Sequence, residues 1–159
     1  MTLLLETGRL EDAYALWLWA NDAETRTAAF DRLEIVWDEH IRWVERQLAS
    51  PEAMLMIARL PDGRPVGSIR FDTEDAWRTA RLSYVVAPEA RGHGYGAALV
   101  EQGVAALFAQ HSTAEVKALV RSGNAASLRI FRRLGWSEIE VTGGPRAAHL
   151  FRSLKGRGG

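Results

Sequence analysis

The chain opens on a short apolar run, Leu3 to Leu5, that stops before Gly8 and predicts a first strand. The period then lengthens. Ala13, Leu16, Trp17 and Ala20 share one face of a helix over 10–20, which Asn21-Asp22 breaks. A second short helix fits 22–28. A third is marked by Trp37, Ile41, Val44 and Leu48, and Ser50-Pro51 ends it, because a residue before proline is pushed out of the helical region. Residues 53–60 and 66–71 read as two strands. Pro61-Asp62-Gly63 joins them in a hairpin, the proline presetting one dihedral and the glycine supplying a positive one. The polar stretch 72–75 predicts the next turn, and 78–87 a strand stopped by Pro88. Residues 94–110 form a long amphipathic pattern with Leu99, Val100, Val104, Leu107 and Phe108 on its apolar side. A strand over 114–121 follows. A helix over 125–134 is capped by Asn124 and closed by Gly135, and strands over 136–141 and 149–154 complete the pattern.

This order of elements predicts an α+β (mixed α/β) fold with a glycine-rich turn in the middle of the chain. No repeat or linker divides it, so 1–155 is expected to form a single domain, with 156–159 as a frayed tail. A chain of 159 residues has enough length for a real core and a cleft.

Charge adds a second layer. The net charge is zero, yet residues 1–50 carry ten acidic and five basic side chains, and residues 51–159 ten acidic and fifteen basic. A basic C-terminal half would suit an anion if a phosphate site lies there. No basic run is long enough to suggest nucleic-acid binding. The absence of cysteine excludes disulfides, thiolate metal sites and a cysteine nucleophile, and no metal is expected. The N-terminus has no signal-peptide pattern, and no apolar stretch approaches the ~20 residues that span a bilayer, so no membrane role and a cytoplasmic location are expected.

The candidate chemistry centres on Arg91-Gly92-His93-Gly94-Tyr95-Gly96, between a strand and the long helix. Alternate glycines allow a tight turn and close approach of a ligand. The helix N-terminus that follows offers free N–H groups and the positive end of a dipole, a site suited to a diphosphate. Arg91 would add a charge-assisted contact. A Walker A loop would need Gly-Lys-Ser/Thr, which is missing. Gly92, Gly94 and Ala97 fit the dinucleotide fingerprint formally, but the turn does not follow the first strand and no acidic residue ends the next one.

Arg91, Gly94 and Gly96, preceded by Pro88-Glu89-Ala90, resemble the Gln/Arg-x-x-Gly-x-Gly/Ala motif of the GNAT N-acetyltransferase superfamily. A second match follows at the expected distance: Asn124-Ala125-Ala126-Ser127, then Phe131-Arg132-Arg133-Leu134-Gly135-Trp136. The resemblance implies a mostly antiparallel, twisted central sheet flanked by helices, acetyl-CoA as cosubstrate, and compatibility with a homodimer. It places the pantetheine arm along Val85 and Val86 and the pyrophosphate on the backbone of Gly92, His93, Gly94, Tyr95 and Gly96. Asn124, Ser127 and Phe131 join that cofactor site. Among Arg129, Arg132 and Arg133 it suggests a contact to the 3′-phosphate.

The implied chemistry is attack of a neutral amine on a thioester, which needs a base and stabilisation of an oxyanion by a backbone N–H near Val85 or Val86. The chain departs from the family at two positions. Phe131 stands where a tyrosine usually serves as acid, and Arg81 where a glutamate base is frequent. Asp72 and His40 are the alternative bases, and Tyr84 and Tyr95 the alternative acids. A catalytically impaired CoA-binding module is therefore the competing reading.

The N-terminal region, including Trp19-Ala20-Asn21-Asp22, Arg26, Phe30, His40 and Trp43, with Pro65 to Asp72, resembles aminosugar-nucleotide N-acetyltransferases of the pseudaminic-acid type. That resemblance implies a small-molecule amine acceptor facing Asn21, Arg26, Phe30, His40 and Phe71. The acidic N-terminal half points instead to a cationic acceptor such as a polyamine or an aminoglycoside antibiotic, and a protein N-terminus is a further alternative.

Overall fold

A computed structural model describes residues 2–30, 33–141 and 147–154. The tail expected over 156–159 lies outside the described residues. Seven strands form one sheet in the order β1-β2-β3-β4-β5-β7-β6. They are β1 (Leu4–Thr7), β2 (Ala53–Arg59), β3 (Pro65–Asp72), β4 (Thr79–Val86), β5 (Glu115–Arg121), β6 (Ser137–Val141) and β7 (Ala148–Leu154). All neighbours pair antiparallel except β4 and β5. The helices are α1 (Ala13–Ala20), α2 (Ala23–Ala28), α3 (Trp37–Ala49), α4 (Tyr95–Gln110) and α5 (Ala125–Arg133).

The elements expected from periodicity form, with adjusted ends. The first helix begins at Ala13 rather than Leu10, because Leu10–Asp12 is a 3-10 turn whose Asp12 carboxylate accepts the Arg9 N–H at 2.9 Å. Its buried positions are Ala13, Leu16 and Trp19, so Trp19 rather than Trp17 or Ala20 enters the core. Trp17 instead donates its indole N–H to the Ile35 carbonyl at 2.8 Å. Asp72, read as a turn residue, is the last residue of β3, where it pairs across to Arg81.

The sheet has two faces, and β3 shows which side chains go where. Successive residues of a strand point to opposite faces. Ile69 packs on α4, where a Cβ added to Gly103 would lie 2.6 Å from its Cδ1. Arg70, the next residue, lies on the other face with its guanidinium 5.0 Å from the Trp43 ring of α3. Phe71 returns to the core and is fully buried. The core therefore fills the space under α4 with Ile69, Phe71, Leu99, Val100 and Leu107, while α1 and α3 cover the opposite face through Leu16, Trp19 and Val44. Among the described residues no helix is long and apolar enough to cross a membrane.

Candidate active site

The parallel pair β4–β5 sets the geometry of the site. Its register covers Thr79↔Glu115, Ala80↔Val116 and Arg81↔Lys117 and goes no further. β4 continues to Val86 against β3, and β5 continues to Arg121 against β7. The two strands thus splay from a common base, and the inner edge of β4 beyond Arg81 has no strand partner among the described residues. A cleft of about 1380 Å³ occupies the splay and runs on toward α1, α2 and α3. Val85 and Val86 line it on one side, Ala118 to Arg121 on the other.

The glycine turn closes one end. Gly92 has φ +83° and Gly94 φ +79°, left-handed values that cost a side-chain-bearing residue energy. Gly94 is the N-cap of α4 and carries no side chain that could cover the first N–H groups. A Cβ at Gly92 would meet nothing within 4 Å, whereas one at Gly96 would lie 2.8 Å from Ile130 Cδ1. Gly92 thus leaves space for a ligand, and Gly96 lets α4 approach α5. His93 is exposed outside the cleft wall, its ring 5.7 Å from that of Tyr95, which does line the cleft.

Arg91 borders the cleft, but α2 already engages its guanidinium. Glu24 accepts from Nη1 at 2.7 Å, and Asp22 and the Thr25 hydroxyl accept from Nη2 at 2.8 and 2.9 Å. Asp22 is held below the usual carboxylate range, since Arg91 and Thr25 outweigh the upward push of burial. Arg91 therefore fastens α2 to the glycine turn rather than standing as a bare cation.

On the far side, Asn124 caps α5 by accepting the Ser127 N–H at 3.2 Å. The Ser127 hydroxyl is 2.6 Å from that of Tyr84, which reaches across the splay from β4. Burial pushes the Tyr84 phenol above its usual value, with the Ser127 hydrogen bond working against it. Phe131 is fully buried, its ring 5.1 Å from Phe151, 4.9 Å from Trp136 and 6.2 Å from Tyr84. A hydroxyl is thus present beside Phe131 even though the ring itself has none. Arg129 and Arg133, one turn apart, line the cleft. Arg132 faces away, bound to both oxygens of Glu138 at 2.7 and 2.9 Å.

The opposite wall comes from α1 to α3 and β3. His40 is buried at the cleft and donates Nε2–H to the Ala13 carbonyl at 2.9 Å. That bond fixes the neutral tautomer with its lone pair on Nδ1. Burial lowers the His40 pKa, and the Ala13 carbonyl partly opposes the shift. Trp37 and Trp43 flank the ring at 6.0 and 5.8 Å. Arg26 and Phe30 also line the cleft. Arg26 donates to the carbonyls of Ala20 and Leu33 at 2.6 and 3.2 Å.

Three expected residues take other places. Asn21 does not line the cleft: its Nδ2 donates to the Ile35 carbonyl at 2.8 Å and its Oδ1 accepts the Ile35 N–H at 2.7 Å, so it clamps the segment leading into α3. Phe71 points into the core, because it is one residue out of phase with Arg70. Asp72 is absent from the cleft wall, and its Oδ2 lies 3.0 Å from Arg70 Nε. Arg81, at the frequent glutamate position, pairs with Glu74 at 3.3 Å on the surface. Sequence reading missed Arg70, Ser83 and Arg46 as cleft residues. The strand alternation that buries Phe71 would have exposed Arg70, and the Trp43/Arg46 spacing on α3 would have flagged Arg46.

The cleft fits acetyl-CoA on three grounds: an unpaired strand edge of the right length for an extended arm, a helix N-terminus bared by glycine, and a volume above that of ordinary small-ligand pockets. These features suit a protein of the acyl-CoA-binding class. The family model described as an acetyltransferase (GNAT) domain matches residues 2–137, and the chain belongs to that family as an acetyl-CoA-dependent N-acetyltransferase. Among solved structures it resembles spermidine N-acetyltransferase from Vibrio cholerae in complex with CoA and spermine, with TM-score 0.86, 14% identity and coverage of 96% of this chain and 95% of that one. Ribosomal-protein-alanine N-acetyltransferase from Brucella melitensis aligns with TM-score 0.79 at 23% identity over 96% and 99% of the two chains. An aminoglycoside acetyltransferase in complex with coenzyme A aligns with TM-score 0.81 at 18% identity over 97% and 95%. No curated protein matches the chain in sequence.

Proposed function

We propose that the protein transfers the acetyl group of acetyl-CoA directly to a primary amine of a small molecule, with His40 as proton acceptor and Tyr84 as proton donor. The observation that carries this reading is that one cleft joins the splayed edge of β4, the Tyr84–Ser127 pair and the neutral His40.

Acetyl-CoA supplies the activated acetyl group when bound. Val85 and Val86 offer backbone groups to its extended arm, and the turn from Gly92 to Gly96 offers N–H groups to its diphosphate. Arg129 and Arg133 suit the 3′-phosphate, being exposed, at the cleft rim and without an acidic partner among the described residues. Asn124 holds the start of α5 in place.

His40 Nδ1 takes the proton of the attacking amine. Its lowered pKa keeps it unprotonated at neutral pH, and the Ala13 carbonyl fixes the tautomer. Tyr84 stays protonated over the same range and passes its proton to the departing thiolate, with Ser127 sharing the hydrogen bond. This pair fills the role left open by Phe131. Asp72 has no part in the scheme, since Arg70 holds it outside the cleft.

The test is thiol release from acetyl-CoA with a panel of amines, comparing wild type with Tyr84→Phe. Amine-dependent release that falls about 10- to 100-fold in the variant supports the reading. Binding of acetyl-CoA without any amine-dependent release would instead favour a CoA-binding module that has lost catalysis.

A further inference from the structure

The acidic residues of the N-terminal half suggested a cationic acceptor, but they mostly do not face the cleft. Of the ten acids in residues 1–50, Glu24 and Glu39 line it among the described residues. Glu24 is occupied by Arg91. The arginines behave differently. Arg129 and Arg133 sit at the cosubstrate end, and Arg121 is turned toward the carbonyls of Thr27 and Ala29 at 2.8 and 2.9 Å. Arg26 is turned to the carbonyls of Ala20 and Leu33 and Arg91 to Asp22 and Glu24, which leaves Arg46 and Arg70 on the acceptor wall.

Arg70 is poorly satisfied by the protein. Its Nε is sealed from solvent and lies 3.0 Å from Asp72 Oδ2 without hydrogen-bond alignment. Its Nη2 makes one long bond, 3.4 Å, to the Ser83 hydroxyl, and its Nη1 has no acceptor among the described residues. A guanidinium has five donors in a fork shaped for a carboxylate or phosphate. The Trp43 ring at 5.0 Å holds this fork in place. Arg46 is exposed at the same wall and has no ionic partner among the described residues. Along α3 the cleft-lining residues run Glu39, Trp43, Arg46, a rise of about 10 Å from acid to base. His40 sits at the acidic end.

Resting on the transferase reading above, we propose that the acceptor is an amine that also carries an anionic group, a carboxylate or a phosphate. Arg70 and Arg46 bind the anion across Trp43, and the amine lies toward Glu39 and His40. Polyamines and aminoglycosides, which carry only positive charge, bring no anion to the Arg70 donors that Asp72 and Ser83 leave over, and meet Arg46 as a like charge.

The test uses matched amines: glucosamine 6-phosphate against glucosamine, phenylalanine against phenylalaninamide, and spermidine as the cationic arm. Binding is read by ligand-observed NMR on CoA-saturated protein, and turnover by thiol release. The expected result is that at least one anionic member binds, and is acetylated, at least 10-fold better than its mate, a preference that disappears in Arg70→Gln. The winning pair tells phosphate from carboxylate. Equal or better binding of the uncharged or cationic amines, no binding of either anionic amine, or a preference intact in Arg70→Gln would overturn the proposal. Calorimetric titration with acetyl-CoA keeps the two readings apart. Unchanged cosubstrate affinity in Arg70→Gln shows that the variant is folded, whereas no affinity in wild type would be a failure of the transferase reading itself.

Discussion

The two walls of the cleft hold their polar groups in different ways. On the wall proposed for the cosubstrate, β4, the glycine turn and the start of α5 present mainly backbone groups within short stretches of chain. On the wall proposed for the acceptor, His40, Trp43, Arg46, Arg70 and Ser83 present side chains drawn from three elements. A backbone site depends on φ/ψ and on what is left out, such as a Cβ. A side-chain site depends on tertiary packing, here the rings of Trp37 and Trp43 around His40 and beneath Arg70. The first tolerates little change at its glycines. The second can be re-aimed by single substitutions without disturbing the cosubstrate.

Substitutions that separate the walls should therefore show distinct signatures. The largest effect is expected for Gly94→Val, which places a β-branched residue at φ +79° over the bare helix N-terminus. Affinity for acetyl-CoA should fall at least ~100-fold by calorimetry while the circular dichroism spectrum is retained. Unaltered affinity would mean that the diphosphate lies elsewhere.

His40→Gln comes next. It should lower kcat about 100-fold and leave acetyl-CoA affinity unchanged. The wild-type pH profile gives the same residue a second reading. Because burial depresses the His40 pKa, the unprotonated form persists below the ordinary histidine value, so kcat/KM should be flat around pH 7 and fall only on the acid side of that value. Stability has the same sign. The unfolded chain binds this proton more readily, so stability should decline as pH drops through the ordinary value toward the folded one, and His40→Gln should remove that slope.

A smaller effect belongs to the 3′-phosphate. Replacing Arg129 and Arg133 together with alanine should weaken acetyl-CoA binding by about 10-fold while leaving the 3′-dephospho analogue nearly unaffected. Arg132→Ala should do neither, since Glu138 holds that side chain away. Smallest at the cosubstrate is Asn21→Ala, which loses two hydrogen bonds to Ile35. It should cost about 1–2 kcal/mol in denaturant unfolding and raise the acceptor KM, with acetyl-CoA affinity intact.

The same contrast explains what the sequence made legible. Arg91 to Gly96 and Asn124 to Phe131 are local patterns, so the resemblance to the GNAT motifs was legible, and it was that resemblance which implied the cosubstrate wall. Arg91 was legible as a residue but not in its partners, because Asp22 and Glu24 arrive from a helix far away in sequence. On the acceptor wall the elements were readable and the side-chain directions were not. A choice between Arg70 and Phe71 turns on strand phase, fixed by Ile69 meeting Gly103. The resemblance turns Asn21 toward the acceptor, whereas Ile35 uses both ends of its amide. The charge imbalance along the chain was real, yet folding turned most of the N-terminal acids away from the cleft.

The splay between β4 and β5 is the proposed acetyl-CoA site. Calorimetric titration of the purified protein with acetyl-CoA, with NAD and UDP as controls, tests it most directly. Micromolar binding of acetyl-CoA and no binding of NAD are expected. Absence of acetyl-CoA binding, or equal binding of NAD, would contradict it.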